Sequence, residues 1–213
     1  MLIEITQDGA GYSDFDSKIE GFLTDHVESC SIYIFFGDKG YALIHDTAQL
    51  KFQEISKLAK KCGKITKAYY AINSNHLYKE IKVSHSNRRA RLKNLLKLDN
   101  IKKIELPFGK IVVFNSGVIE TEQNQISKID LVIEKTPKKH QRENINILNN
   151  MFQPRNIQSL PIDIQYDSEV GFTEMSKVLY SLEYLEEVAD KKALQGDFDF
   201  QNSLILARKL NII

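Results

Sequence analysis

Runs of hydrophobic residues predict the first regular structure in the chain. The strongest strand pattern is Ser31–Phe36, which is rich in β-branched and aromatic residues, and a second pattern, Tyr41–His45, follows after a short polar link. Two such runs joined by a tight link with glycine at both ends are typical of a β-hairpin. We therefore expect a hairpin in which Gly37 pairs with Gly40.

Further apolar patterns add strands and helices to the same region. Strand patterns occupy residues 65–72, 110–114 and 129–134. A helical pattern follows Asp46 and Thr47, which we interpret as its N-cap region, and ends at Cys62–Gly63; another covers residues 87–98, with Leu92, Leu95 and Leu96 inward and its Arg and Lys side chains outward. This order predicts an α+β domain over residues 1–134, a mixed or antiparallel β-sheet layered with helices.

The remaining residues, 135–213, are predicted to form a mainly helical C-terminal extension that binds a substrate or a partner. Its first residues, Thr136–Pro137 and two lysines, are typical of a domain boundary. Helical periodicity predicts a short helix over 143–152, a long helix from Phe172 to Ala189 and a final helix over 200–210, with an extended stretch at 160–166. The long apolar stripe is typical of core packing.

Composition excludes several classes of protein. With 213 residues, 42% of them hydrophobic, the chain has enough apolar content for a folded core, which excludes a disordered chain. Two cysteines exclude a disulfide scaffold and a four-thiolate zinc site, and they favour a reducing compartment. The acidic N-terminus lacks the pattern of a signal peptide, and no apolar run is long enough to span a bilayer. We expect a soluble protein without membrane insertion.

The net charge of +1 hides an uneven distribution of charge. Residues 1–60 carry −5, residues 61–143 carry +10 and residues 144–213 carry −4. The basic segment, residues 61–143, is interpreted either as a solvated helix face with a charged linker or as a surface for an acidic protein or a phosphate backbone. Its cluster Arg88, Arg89 and Arg91 supplies candidate substrate-binding residues. Because no aromatic interleaving or known nucleic-acid motif accompanies the cluster, nucleic acid is a disfavoured partner.

The hairpin brings one thiol near one histidine. If Gly37 pairs with Gly40, then Ile32 faces His45, and Cys30 lies diagonally across from His45 on the same face. A thiol nucleophile needs such a neighbouring base. Cys30 also directly precedes its strand, where a side chain is half exposed. The competing interpretation is that Cys30 is a small buried hydrophobic residue, and a register slip of one residue would separate the pair.

The other thiol and histidines are weaker candidates. Lysines near Cys62 favour a lowered pKa, but nothing supplies this thiol with a base, so we interpret it as structural. His26 is a rival base in a loop, whereas His76, His85 and His140 are interpreted as exposed or capping residues. The sequence contains no metal-binding pair such as HxxxH or CxxC, no GxGxxG motif and no P-loop. We therefore expect no metal and no cofactor.

Ser29–Cys30, a hydrophobic strand, a short turn with glycine, a second strand and then His45 resemble the catalytic hairpin of the CheD-type glutamine deamidases. The same segment is similar to the cytotoxic necrotizing factor toxins and to protein N-terminal asparagine amidohydrolases. In that superfamily a nucleophilic cysteine and its histidine stand at a spacing similar to that of Cys30 and His45, and several members have a threonine six residues before the cysteine, here Thr24. The order of the elements to residue 134 is also similar.

The resemblance implies a CheD-like fold and a protein deamidase that uses no cofactor. Cys30 would be the nucleophile, His45 the general base and acid, and Thr24 the residue that orients His45; Asp46 is a second candidate for this last role, although it should point to the opposite face. The backbone around Ser29 and Cys30 would hold the oxyanion. The substrate would be a protein that presents a Gln, or an Asn, side chain.

The biological setting and two other functions stay open from the sequence. The protein would act in the cytoplasm on the cell's own receptors, or it would be delivered into a host cell as a toxin-like bacterial effector. One alternative function is an N-terminal asparagine amidohydrolase, which shares the chemistry. The other is a non-enzymatic binding module that uses residues 61–143 and in which Cys30 is an ordinary core residue.

Overall fold

The computed structural model describes residues 1–73, 75, 79–107, 109–122, 133–134, 162–173 and 182–209. The chain divides into two compact units. The first contains Met1–Thr136 and Gln158–Thr173, and the second contains Pro137–Ile157 and Glu174–Ile213. The predicted boundary after residue 134 lies close to the first division, but residues 158–173 return to the first unit.

The first unit contains twelve strands and two helices among its described residues. The strands are β1 (Leu2–Glu4), β2 (Gly9–Asp14), β3 (Gly21–Thr24), β4 (Ser31–Phe36), β5 (Gly40–Asp46), β6 (Lys67–Ile72), β7 (Lys102–Glu105), β8 (Ile111–Phe114), β9 (Ile119–Thr121), β10 (Ile133–Glu134), β11 (Asp163–Asp167) and β12 (Gly171–Phe172). The helices are α1 (Phe52–Lys61) and α2 (Lys79–Leu95).

The strands form two mixed sheets, which confirms the predicted α+β class. The five-stranded sheet has the order β10-β1-β3-β8-β9, and the seven-stranded sheet has the order β12-β11-β2-β5-β4-β6-β7. Parallel pairs, such as β1 with β3 and β2 with β11, lie beside antiparallel pairs in both sheets. Among the described residues, the helices of this unit pack on the seven-stranded sheet alone, and the second sheet, formed by β1, β3, β8, β9 and β10, was not expected from the sequence.

Alternation along β4 explains how the layers pack. Ile32 and Ile34 are fully buried in a cluster that includes Ile3 and Phe22 of the five-stranded sheet. The intervening side chains, such as Tyr33, belong to a second cluster with residues of α1 and with Leu92 of α2. Since successive side chains point to opposite faces, the seven-stranded sheet contacts the other sheet on one face and the helices on the other.

The predicted hairpin has the predicted register. The N–H of Gly37 donates to the carbonyl of Gly40 over 2.8 Å, and β4 pairs with β5 so that Ile32 lies opposite His45. Helix α1 ends at Lys61, with Cys62 as its C-cap and Gly63 in a left-handed conformation at φ 84°, as its sequence indicates.

Other predictions about individual elements are wrong or untested. Asp46 does not cap α1, because it ends β5 and the N-cap residue is Lys51. Leu95 is 44% exposed, and Arg88, expected to point outward, is only 2% exposed. Phe172 lies in β12 instead of beginning a helix. The short helix predicted over 143–152 lies outside the described residues.

The second unit contains two helices among its described residues, α3 (Leu182–Ala193) and α4 (Asp199–Lys209). They pack through small and apolar side chains, since Leu185 and Ala189 of α3 and Leu204 and Ala207 of α4 are buried. Within the described part of the chain, no helix combines the length and the hydrophobicity that a membrane span requires.

Candidate active site

Cys30 and His45 lie on the face of the seven-stranded sheet that packs against the five-stranded sheet. Cys30 directly precedes β4 and belongs to the buried cluster that contains Ile32, the residue opposite His45. Cys30 keeps 8% of its surface exposed, whereas His45 keeps 3%. The hairpin register therefore places the thiol and the imidazole diagonally across two adjacent strands. The expectation that Cys30 is half exposed is wrong, because the residue is buried between the two sheets.

The imidazole of His45 is fixed by a residue of the other sheet. The Thr24 hydroxyl, at the end of β3, lies 2.8 Å from His45 Nδ1, and Thr24 is fully buried. The second ring nitrogen, Nε2, is also buried and has no hydrogen-bond partner among the described residues. One ring nitrogen is thus held by a hydrogen bond, and the other is buried without one in the described part of the chain.

Burial keeps both groups neutral around pH 7. Desolvation lowers the pKa of His45 to about 4. Desolvation also raises the pKa of the Cys30 thiol to about 12; the carboxylates of Asp8 and Asp46 add to this rise, and a hydrogen bond from the Ser29 side chain opposes it. The pair is therefore a thiol and a neutral imidazole, not a standing thiolate and imidazolium.

The loop that precedes Cys30 is held at two points. The N–H of Val27 donates to the carbonyl of Gly109 over 2.9 Å. Gly109 has φ 84°, and a Cβ there would lie 2.7 Å from the Val27 carbonyl oxygen, so the close contact requires glycine. Closer to the thiol, the carbonyl of Ser29 accepts a hydrogen bond of 2.7 Å from His85 Nε2 on α2.

Asp46, the neighbour of His45, faces the helices. Its Oδ2 accepts hydrogen bonds from Arg88 Nε at 3.0 Å and Arg88 Nη2 at 2.6 Å, and its Oδ1 accepts from two backbone N–H groups of residues 48 and 50. Burial raises the pKa of this carboxyl, and the Arg88 guanidinium opposes that effect. Asp46 therefore does not contact His45 with its side chain, as the alternation of faces predicts.

The other two arginines of the basic cluster lie against aromatic rings. The Arg89 guanidinium carbon is 5.5 Å from the centroid of Tyr70, and that of Arg91 is 4.6 Å from the centroid of Phe52. Arg88, which also contacts Phe52, is a buried partner of Asp46 and cannot reach a substrate at the surface. These contacts pack α2 against Phe52 of α1 and Tyr70 of β6.

The remaining thiol and histidines occupy different places. Cys62 is fully buried in the cluster beneath the helices, and desolvation raises its pKa to about 12, which agrees with a structural role. The side chain of His26, the rival base, is 90% exposed. His85, expected to be exposed or capping, is instead 1% exposed and lies behind the Ser29 carbonyl. His76 and His140 lie outside the described residues.

Sequence reasoning missed His85 as a residue of the site. It belongs to α2 and lies three positions before Arg88, so both side chains share the helix face that packs on the sheet. The expected helix began only at residue 87, which left His85 outside it. Among the residues that the structure describes, no group of three or more His, Cys, Asp or Glu side chains is arranged to hold a metal ion.

No protein-family model matches the chain, and no curated protein matches it.

Proposed function

We propose that this protein is a cysteine-dependent amidohydrolase that deamidates a side chain of a protein substrate, most readily glutamine. The observation that carries the proposal is the pair of contacts on His45. Its Nδ1 is held by Thr24 at 2.8 Å, and its Nε2 is buried without a hydrogen-bond partner among the described residues, on the face that also carries Cys30. This arrangement supports a nucleophile, a base and an orienting hydroxyl.

The proton positions follow from the contacts. For Nε2 to accept the thiol proton, Nδ1 must carry its own hydrogen and donate it to the Thr24 hydroxyl oxygen. His45 then takes the proton from Cys30 as the sulfur attacks the carboxamide carbon. The thiol makes no hydrogen bond to Nε2 among the described contacts, and catalytic contacts of this kind are often long before substrate binds.

The reaction then proceeds in two balanced halves. The C–N bond of the tetrahedral intermediate breaks, the proton on His45 passes to the departing nitrogen, and ammonia leaves a thioester on Cys30. Water loses a proton to His45 and attacks the thioester carbon; the C–S bond breaks, the sulfur regains the proton, and the carboxylic acid product leaves. Since burial raises the pKa of Cys30 to about 12 and lowers that of His45 to about 4, the proton stays on the sulfur in the resting protein, and its transfer to His45 has to accompany the attack on the carboxamide carbon.

The wider proposal follows from the resemblance of residues 20–134 to the CheD-like deamidases. The substrate is a protein, and the setting is either the cytoplasm of the cell that makes this protein or a host cell into which it is delivered as an effector. The burial of Arg88 removes one arginine of the basic cluster from the surface that the alternative, a binding module, would use.

Ammonia release from unfolded casein and from glutamine-containing peptides tests the proposal. We expect release from the wild type, none from Cys30→Ala, and near wild-type release from Cys62→Ala, which removes the other thiol. Equal release from wild type and Cys30→Ala would contradict it. Short peptides with a free N-terminal asparagine form a second arm; release from these alone would assign the enzyme to the N-terminal asparagine amidohydrolase type.

A further inference from the structure

His85 is a buried side chain of α2 that has no role in the reaction proposed above. Its Nε2 lies 2.7 Å from the carbonyl oxygen of Ser29, the residue directly before the proposed nucleophile. A carbonyl oxygen only accepts hydrogen bonds, so Nε2 carries the hydrogen and donates it. The neutral tautomer is therefore fixed, with Nδ1 as the bare nitrogen.

Packing holds this histidine in one position. Its ring centroid is 6.3 Å from that of Tyr70 on β6, and the residue is 1% exposed. Desolvation lowers its pKa; the Ser29 carbonyl and Asp46 raise it, and Arg88 lowers it further. The groups that face His85 from β5, β6 and α2 therefore include a carboxylate, a phenol and a guanidinium, and burial is the dominant influence.

The hydrogen bond fixes the orientation of a whole peptide unit. The Ser29 carbonyl and the Cys30 N–H belong to the same peptide bond, and the chain contains no cis peptide bond among its described residues. In a trans peptide these two groups point in opposite directions. Since the carbonyl points to α2, the N–H points away from the helices, towards the side on which the Cys30 side chain packs.

Cys30 directly precedes β4, which begins at Ser31, so its N–H lies at the entry of the strand and in the same residue as the sulfur. A nucleophile's own N–H is a common oxyanion donor, because it lies next to the carbonyl group under attack. The Ser29–Cys30 peptide thus places one N–H donor beside the thiol.

We propose that His85 is a positioning residue, which turns the Ser29–Cys30 peptide so that the Cys30 N–H stabilises the oxyanion formed when the sulfur attacks a carbonyl carbon. This inference rests on the proposed function, since it requires Cys30 to be an acyl-accepting nucleophile. In this proposal the N–H of Cys30 contacts the oxyanion. The hydrogen bond from His85 to the Ser29 carbonyl fixes the direction in which that N–H points.

Two reagents that react with the Cys30 sulfur distinguish a loss of oxyanion stabilisation from a general loss of thiol reactivity. p-Nitrophenyl acetate acylates a thiol through a tetrahedral oxyanion: the S–C bond forms, the C–O bond breaks and p-nitrophenolate leaves. Iodoacetamide alkylates the thiol by displacement of iodide, without an oxyanion. Both modifications are measured at pH 9 by mass spectrometry of the Cys30 peptide, with the Cys62 peptide as an internal reference.

The matched variants are His85→Gln and His85→Asn. The glutamine amide nitrogen reaches the place of Nε2, whereas the asparagine nitrogen stops near the place of Nδ1 and cannot reach Ser29. We expect His85→Asn, and His85→Phe, which has no donor at all, to slow acylation of Cys30 by about tenfold or more. Removal of an oxyanion donor itself typically lowers the rate by about 10²–10³-fold, and here the donor is misdirected but still present. Alkylation should stay within about twofold, and His85→Gln should keep most of the acylation rate.

The possible contrary results are distinct. If acylation and alkylation fall together, or if His85→Asn leaves acylation unchanged, His85 does not position an oxyanion donor and the inference is overturned while the proposed function stands. If His85→Gln folds but acylates as slowly as His85→Asn, the donor is not what matters, and the inference is again overturned. If wild-type Cys30 is not acylated at all, the proposed function itself fails.

Discussion

The hydroxyl of Thr24 and the Nδ1 atom of His45 are 2.8 Å apart, although the two residues belong to different sheets. Thr24 ends β3 of the five-stranded sheet, and His45 lies in β5 of the seven-stranded sheet. The contact therefore depends on how the two sheets pack. The imidazole of His45 is held in this orientation only when the two sheets are packed together.

Replacing Thr24 by valine, which has nearly the same shape, tests the orienting role. The variant loses the acceptor for Nδ1, and we expect ammonia release to fall on the order of 10- to 100-fold with the fold retained. Thr24→Ser keeps the hydroxyl and should recover most of the rate. Equal activity of Thr24→Val and wild type would show that the imidazole needs no partner at Nδ1.

The buried neutral state of His45 predicts a pH dependence of stability. Its pKa is about 4 in the folded protein and about 6.5 when unfolded, so the unfolded state binds more protons between these values. Neutral His45 therefore contributes fully to the free energy of unfolding above pH 6.5. This contribution, on the order of 3 kcal/mol, is lost progressively as the pH falls from 6.5 through 4. Urea unfolding of wild type and His45→Gln from pH 8 to 4 measures it.

The difference between these two proteins isolates His45. His85 also has a lowered pKa and acts in the same direction, but it is present in both. Carboxyl groups add to the loss of stability only near their own pKa values, so the comparison is clearest between pH 6.5 and 5. Parallel stability curves for the two proteins in that range would mean that His45 is not buried in its neutral form.

The buried ion pair of Asp46 and Arg88 predicts that a single variant loses more free energy of unfolding than the double variant does. Arg88→Met leaves an unpaired carboxylate without water, and we expect a loss of about 3–5 kcal/mol in the free energy of unfolding. The double variant Asp46→Asn with Arg88→Met should recover part of it, because no buried charge remains. Arg91→Met, an exposed change on the same helix, should cost less than about 1 kcal/mol.

Two glycines in the left-handed conformation form a matched pair. Gly109 has φ 84° and would press a Cβ against the Val27 backbone, whereas Gly117 has φ 82° and no atom within 4 Å of such a Cβ. Gly117→Ala should cost only the conformational term of about 1–2 kcal/mol. Gly109→Ala should cost more in urea unfolding and should also slow ammonia release, because the loop before Cys30 must shift. Equal losses would contradict this anchoring.

The raised pKa of Cys30 predicts its reactivity in the absence of substrate. With a pKa of about 12, the thiolate fraction should rise about tenfold with each pH unit between 7 and 10, and iodoacetamide modification of the Cys30 peptide should rise with it. Free cysteine, measured in parallel, should level off above its own pKa of about 8.5. A rate for Cys30 that is already constant at pH 7 would indicate a standing thiolate.

The hairpin could be predicted from the sequence because its information is local. Gly37 and Gly40 fix the register, and the period of two then decides which side chains share the face of His45. The same reasoning gave the direction of the Asp46 side chain. Thr24 was identified only through the resemblance to a family. It belongs to the other sheet, so nothing in the sequence of the hairpin indicates that it contacts His45.

Other parts of the site depend on contacts that no local pattern shows. His85 and Arg88 belong to a helix with many charged residues, whose sequence suggests a solvated face, yet both are buried because Asp46 and the Ser29 carbonyl lie beneath them. The strands β1 and β3 were missed for a similar reason. Each is only three or four residues long, and each is stabilised by pairing with distant partners.

Strand β11 covers the edge of β2 with residues that are synthesised late in the chain. Residues 163–167 pair in parallel with β2, and the Gln165 side chain accepts a hydrogen bond of 2.8 Å from the Thr6 N–H, 159 positions earlier. Until the ribosome has released residue 167, one edge of the seven-stranded sheet stays open beside β2. A nascent chain that already contains Cys30 and His45 therefore exposes a strand edge, and such edges are sites of aggregation that chaperones protect.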